Sequence, residues 1–173
     1  MDWTAPPADR IDPPTVADER VLLEGFLDYH RQTLLQKCAG LSADDLRRRA
    51  AEPSTLSLLG LLRHLSEVER SWFCYRLDGQ DLGPLYATET DRDADFNDVD
   101  VADAQADYSR YLDVVRGARD ATARHGLDDT FVHPRTGQTI SLRWLYLHML
   151  EEYARHNGHA DLLRERADGR TGE

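Results

Sequence analysis

Apolar residues recur at intervals of three and four along most of the chain, a spacing that predicts helices rather than strands. Leu23, Leu27, His30, Leu34 and Cys38 form one stripe between Val16 and Cys38. Gly40 stops it, and Ser42 is a candidate N-cap for a short helical turn at Ser42-Ala-Asp-Asp-Leu. After a break at Pro53, the stripe Leu58, Leu61, Leu65, Val68, Trp72 and Tyr75 predicts a second helix from about Ser57 to Leu77. Residues 79–100 are rich in Asp and show no helical period, so they read as a long loop, either a lid or a surface excursion. Tyr108, Tyr111, Leu112 and Val115 mark the apolar side of a third helix from about Val101 to Arg124, with Asp98 or Asp100 as its cap. Gly126 ends it. Thr130 to Ser141 then reads as a small hairpin or an irregular excursion, turning at Thr136-Gly137. Ser141 opens the last long helix, which runs to about Arg166. Four long amphipathic helices with almost no strand signal predict an all-α fold, a four-helix bundle with one short extra helical turn.

The last helix carries the chemistry. Leu145, Met149, Glu152, His156, His159 and Leu163 fall on one stripe, apolar at both ends and polar in the middle. A charge facing a core must be paired or bound to a metal. Glu152 and His156 are four apart and project from one face. The solvated side already has its own pair, Glu151 and Arg155. A third ligand has to come from another helix. His64, beside the apolar stripe of the second helix, is the first candidate; His30 is a rival, and so is His148, one turn before Glu152. His125 and His133 fall where exposure is the default. The set His64, Glu152 and His156 suits a divalent metal, Zn²⁺ first, with Ni, Fe or Mn as alternatives. Three protein ligands leave a position for water or substrate. His159 lies about two turns, roughly 10 Å, from Glu152, so a role in proton transfer or substrate contact suits it better than ligation.

The whole chain narrows the choices further. It has 173 residues, enough for one domain spanning 1–173 with its own core. Residues 1–15, with Pro6, Pro7, Pro13 and Pro14, form an extended arm that Trp3 and Ile11 would pin, and 167–173 form a loose tail. The formal net charge of −11 argues against nucleic acid or an anionic membrane surface as partner. Cys38 and Cys74 are too few for a disulfide framework and read as buried, reduced thiols. With no apolar run long enough for a membrane span and no secretory signal, a cytoplasmic protein is expected. Phosphate-binding glycine loops are absent. Trp72, Tyr75 and Trp144 are expected in the core.

His64 in the second helix and Glu151-Glu-Tyr-Ala-Arg-His-Asn-Gly-His159 in the fourth resemble the DinB-like superfamily of damage-inducible bundles. Lys37-Cys-Ala-Gly-Leu41 and Ser54-Thr-Leu-Ser-Leu-Leu-Gly60 resemble an uncharacterised actinobacterial branch of it. Many members carry three histidines; Glu152 stands in place of one here, as in the metal-binding domain of mycothiol-dependent maleylpyruvate isomerase. The resemblance implies a four-helix bundle, a divalent metal and often a homodimer. Some members are thiol transferases or isomerases using mycothiol or bacillithiol, which implies a thiol S-transferase that joins a mycothiol-type small-molecule thiol to an electrophile; on the residues themselves, His30 or His159 is the candidate for moving a proton. The alternative is a non-catalytic metal- or ligand-binding stress-response bundle.

Overall fold

A computed structural model describes residues 3–171; the first two residues of the expected arm and the last two of the expected tail lie outside the described residues. Helix α1 (Glu19–Cys38) is followed by the short α2 (Ala43–Arg47), whose N-cap Ser42 and Asp45 form a reciprocal capping box. Helix α3 (Leu58–Glu69), capped by Ser57, runs on without a break as a π-helical segment, Arg70–Leu77. Two short turns follow, α4 (Ala94–Asn97) and a 3₁₀ turn (Asp98–Val101), and then α5 (Ala104–Thr122). Strands β1 (Thr130–Val132) and β2 (Thr139–Ser141) pair antiparallel, Phe131 opposite Ile140. Helix α6 (Leu142–Asp168), capped by Ser141, is the longest element at 27 residues. The fold is an all-α bundle with one small hairpin. Among the described residues no helix is long and apolar enough to cross a membrane.

The core holds the predicted stripes: Leu27, Leu34 and Cys38 of α1, Leu58, Leu61 and Leu65 of α3, and Leu145, Met149 and Leu163 of α6. Helix ends are closed by guanidinium groups from neighbouring helices. Arg164 donates through Nη1 to the carbonyls of Lys37 and Ala39 at the end of α1. Arg20 does the same for Thr122 and His125 at the end of α5. Each places a positive charge on the negative end of a helix dipole and fills carbonyls that have no intrahelical donor.

One polar cluster crosses the core. Glu69 is fully buried. Its two oxygens accept from Arg31 Nε and Nη2, both at 2.7 Å, and Oε1 also accepts from Tyr153 Oη at 2.8 Å. Tyr111 Oη meets Tyr153 Oη at 3.0 Å. One carboxylate thus ties α1, α3, α5 and α6 together. The bidentate geometry and full hydrogen bonding are what a buried ion pair requires.

Several expectations are corrected. The cap of α5 is Asp103, which accepts from Ala106 N–H; Asp98 and Asp100 lie in the 3₁₀ turn before it. Leu112 is exposed, because α5 buries Tyr108, Tyr111 and Val115 and Leu112 falls at the edge of that stripe. Tyr75 and Trp144 are exposed rather than core. His133 is buried: its Nδ1 accepts from the N–H groups of Arg135 and Thr136 in the hairpin turn. The arm is pinned by Trp3 against Tyr108 and by backbone bonds from Ala5 to Leu41 and from Gly40 to Ala5. Ile11 is exposed and contributes only its N–H, to Gln32.

Replacing Glu69 with Ala strands Arg31 in the core, and urea unfolding of Glu69→Ala should show a loss of about 3–5 kcal/mol. A loss below about 1 kcal/mol would mean that Arg31 finds water or another carboxylate.

Candidate metal centre

Helix α3 presents His64 and helix α6 presents Glu152 and His156 one turn apart. One ligand atom from each of the three lies within 4.8 Å of the others. The rings of His64 and His156 are 4.8 Å apart, and His156 Nε2 is 3.5 Å from Glu152 Oε2. Ligands on a tetrahedral Zn²⁺ at about 2.1 Å sit about 3.4 Å from one another, so side-chain adjustments on the order of an ångström bring the set onto one ion.

The chemistry of the donors fits a divalent cation. Burial, and then the neighbouring His64, pushes the His156 pKa down to about 4, so its imidazole is neutral at ordinary pH with a lone pair to give. Its Nδ1 is buried without a hydrogen-bond partner. The Glu152 side chain, 29% exposed, supplies the anionic donor and keeps one side of the set open to solvent.

His64 is aimed by a residue that helical periodicity does not reveal. Its Nδ1 lies 2.8 Å from Oδ2 of the buried Asp95. With Nδ1 turned to a carboxylate, Nε2 is the ring nitrogen left to face a cation. Asp95 belongs to the 79–100 segment, and α3 fastens that segment at several points. Arg63 donates Nε to Asp95 O at 2.9 Å, Nη2 to Ala94 O at 3.0 Å and Nη1 to Asp107 at 2.8 Å. Glu67 Oε2 accepts the N–H groups of Leu85 and Tyr86. Phe96 stacks on the His64 ring at 4.9 Å. It lies so close to Gly60 that a Cβ there would meet its ring at 2.9 Å. The long segment is therefore a fastened strap that orients His64.

The other histidines stand apart from the three. Glu152 is flanked on its other side by His148, whose Nε2 is 4.0 Å from Oε1. The His148 ring stacks on Trp144, with centroids 5.1 Å apart and planes 13° apart, and meets Trp72 edge-on at 4.7 Å. His159 lies edge-on to His156 at 5.4 Å, with its Nδ1 buried and unpartnered. His30 is tied to α6 through Asn157, whose amide donates to His30 O at 3.0 Å and lies 3.3 Å from its Nδ1. Burial lowers the His30 pKa. His125 sits far along the chain, against Asp78.

The chain's own thiols are poor nucleophiles. Burial pushes the Cys38 thiol up to about 12. Cys74 is raised too, first by burial and then by Glu69 and Asp78.

The family model described as mycothiol S-transferase matches residues 22–169, a span that includes all three candidate ligands. That family lies within the DinB-like superfamily. No curated protein and no solved structure matches the chain.

Asp95→Ala should weaken metal affinity about 10–100-fold in a chelator competition while leaving the loaded stoichiometry intact. Unchanged affinity would show that His64 needs no orienting carboxylate. In the native protein at mild alkaline pH, a thiol-specific reagent should label Cys38 only after denaturant is added.

Proposed function

The chain belongs to the mycothiol S-transferase family, and we propose that it is a divalent-metal-dependent enzyme joining a mycothiol-type thiol to a small electrophile. His64, Glu152 and His156 would hold the ion, Zn²⁺ by the chemistry of the donors. The reading includes one DinB-like four-helix-bundle domain over residues 1–173, working as a homodimer. The convergence of His64, the neutral imidazole of His156 and the partly exposed Glu152 carboxylate, one ligand atom from each within 4.8 Å of the others, carries it. A divalent cation bound there supplies the Lewis acidity that keeps an incoming thiol in its thiolate form at neutral pH.

The remaining work falls to the chain. The strap residues Asp95 and Phe96 fix the ring of His64 from two sides. His159, whose ring lies 5.4 Å from that of His156, or His30, tied to α6 through Asn157, would accept the thiol proton. The sulfur then forms a bond to the electrophilic carbon. Either a leaving group departs with its bonding pair, or a conjugated double bond shifts and the adjacent atom takes up the proton. The atoms balance without an oxidant or a reductant.

Protein purified without a histidine tag should contain about one metal per chain and catalyse thiol conjugation of a test electrophile. Glu152→Ala should fall to the rate of the uncatalysed mixture, and His64→Ala should lose the metal. Thiol binding without turnover at any metal loading would instead favour a non-catalytic ligand-binding bundle.

A further inference from the structure

Beyond Glu152 the surface changes character in a way that the metal set does not explain. His148, stacked on the half-exposed Trp144 and edge-on to Trp72, begins an aromatic face directly beside the candidate ligand Glu152. Trp72 is its hub: Trp144 lies at 6.0 Å, His133 at 5.4 Å, and the Arg76 guanidinium sits 4.6 Å over the Trp72 ring.

The far end of this face is cationic. Arg76 sits over Trp72, and Arg135 donates its N–H to Nδ1 of the buried His133, whose ring faces the same indole; burial first, and then both arginines, lower the His133 pKa. Arg76 donates to Ser71 Oγ, but its Nε is buried without a partner. Glu67 is the acidic group that Arg76 feels, and its Oε2 is occupied by the N–H groups of Leu85 and Tyr86. Among the described residues neither Arg76 nor Arg135 has a carboxylate within ion-pair distance. Such pairs are made by many of the chain's other arginines, Arg20, Arg31, Arg63 and Arg143 among them. In a chain with 32 acidic residues against 21 basic ones, Arg76 and Arg135, at one end of an aromatic face and without an acidic partner, offer a place for an external anion.

We propose that the face running from His148 and Trp144 across Trp72 to Arg76 and Arg135 binds the electrophile, and that this electrophile is a flat, conjugated molecule bearing a carboxylate. The aromatic rings take the flat part and the guanidinium pair takes the anionic end, which leaves the reactive carbon on the side of Glu152. This rests on the S-transferase reading for the reaction, but the binding can be measured without it. The guanidinium of Arg76, held over an indole and short of one hydrogen bond, is set in place before the ligand arrives.

Equilibrium dialysis of metal-loaded protein, with no thiol present, tests this with two isosteric probes, 4-nitrobenzoate and 4-nitrobenzamide. The acid should bind at least about tenfold more tightly than the amide. The double variant Arg76→Gln/Arg135→Gln should bind both equally, with the affinity for the amide retained. Equal affinity of the native protein for the two probes would overturn the proposal. So would a preference that survives in the double variant, or loss of both probes together. Selective binding of the acid by a protein that transfers no thiol would sink the S-transferase reading and leave this subsite standing; transfer without selectivity would do the reverse.

Discussion

The position of every candidate ligand depends on the contact between Glu69 and its partners. Tyr153, the residue after Glu152 on α6, donates to Glu69, and Glu69 lies just over one turn beyond His64 on α3. Arg31 completes the carboxylate from α1. Helices packed through apolar side chains alone can slide by a fraction of a turn at little cost. A directional, fully hydrogen-bonded charge in the core cannot follow such a slide without being stranded. The buried pair thus sets the register that brings His64 opposite Glu152 and His156.

A second constraint fastens the 79–100 segment to α3. Arg63 and Glu67, on either side of His64 in sequence, clamp the backbone of the 79–100 segment, and the clamp delivers Asp95 to the ring. The same short stretch of α3 therefore supplies the candidate ligand, anchors the strap and receives the strap's carboxylate in return. Asp107 of α5 neutralises Arg63 from below and accepts from Tyr86 Oη, so the anchoring leaves no buried charge alone.

Much of this was legible in the sequence because helices have a period. Ser42, Ser57 and Ser141 stand where helix starts require them, and the apolar stripes of α1, α3 and α6 match the core. The polar middle of the α6 stripe pointed to Glu152 and His156 for the same reason, and its partner His64 was within reach of the same reasoning. Asp95 was not, because no period distinguishes it from Asp91, Asp93, Asp98 or Asp100 in a segment held by tertiary contacts. The fully buried carboxylate was also missed. Glu152 drew attention by lying in line with leucines, yet it is half open, whereas Glu69 is entirely enclosed and looks in the sequence like any helix-surface glutamate. Trp144 was assigned to the core on size alone, and size does not tell a packed ring from one facing solvent.

The π-helical stretch explains the misplacement of Tyr75 and has a wider consequence. A wider turn advances the chain by fewer degrees per residue, so a face drawn at constant angle from Leu58 falls out of phase after Glu69. The long second rod therefore looks two ways: its first half addresses α6 and the strap, and its second half turns Trp72 toward the hairpin and α6's opening turns. A single uninterrupted helix could have served only one of these neighbours. The change of pitch lets one continuous element border both the candidate ligands and the aromatic platform beside them.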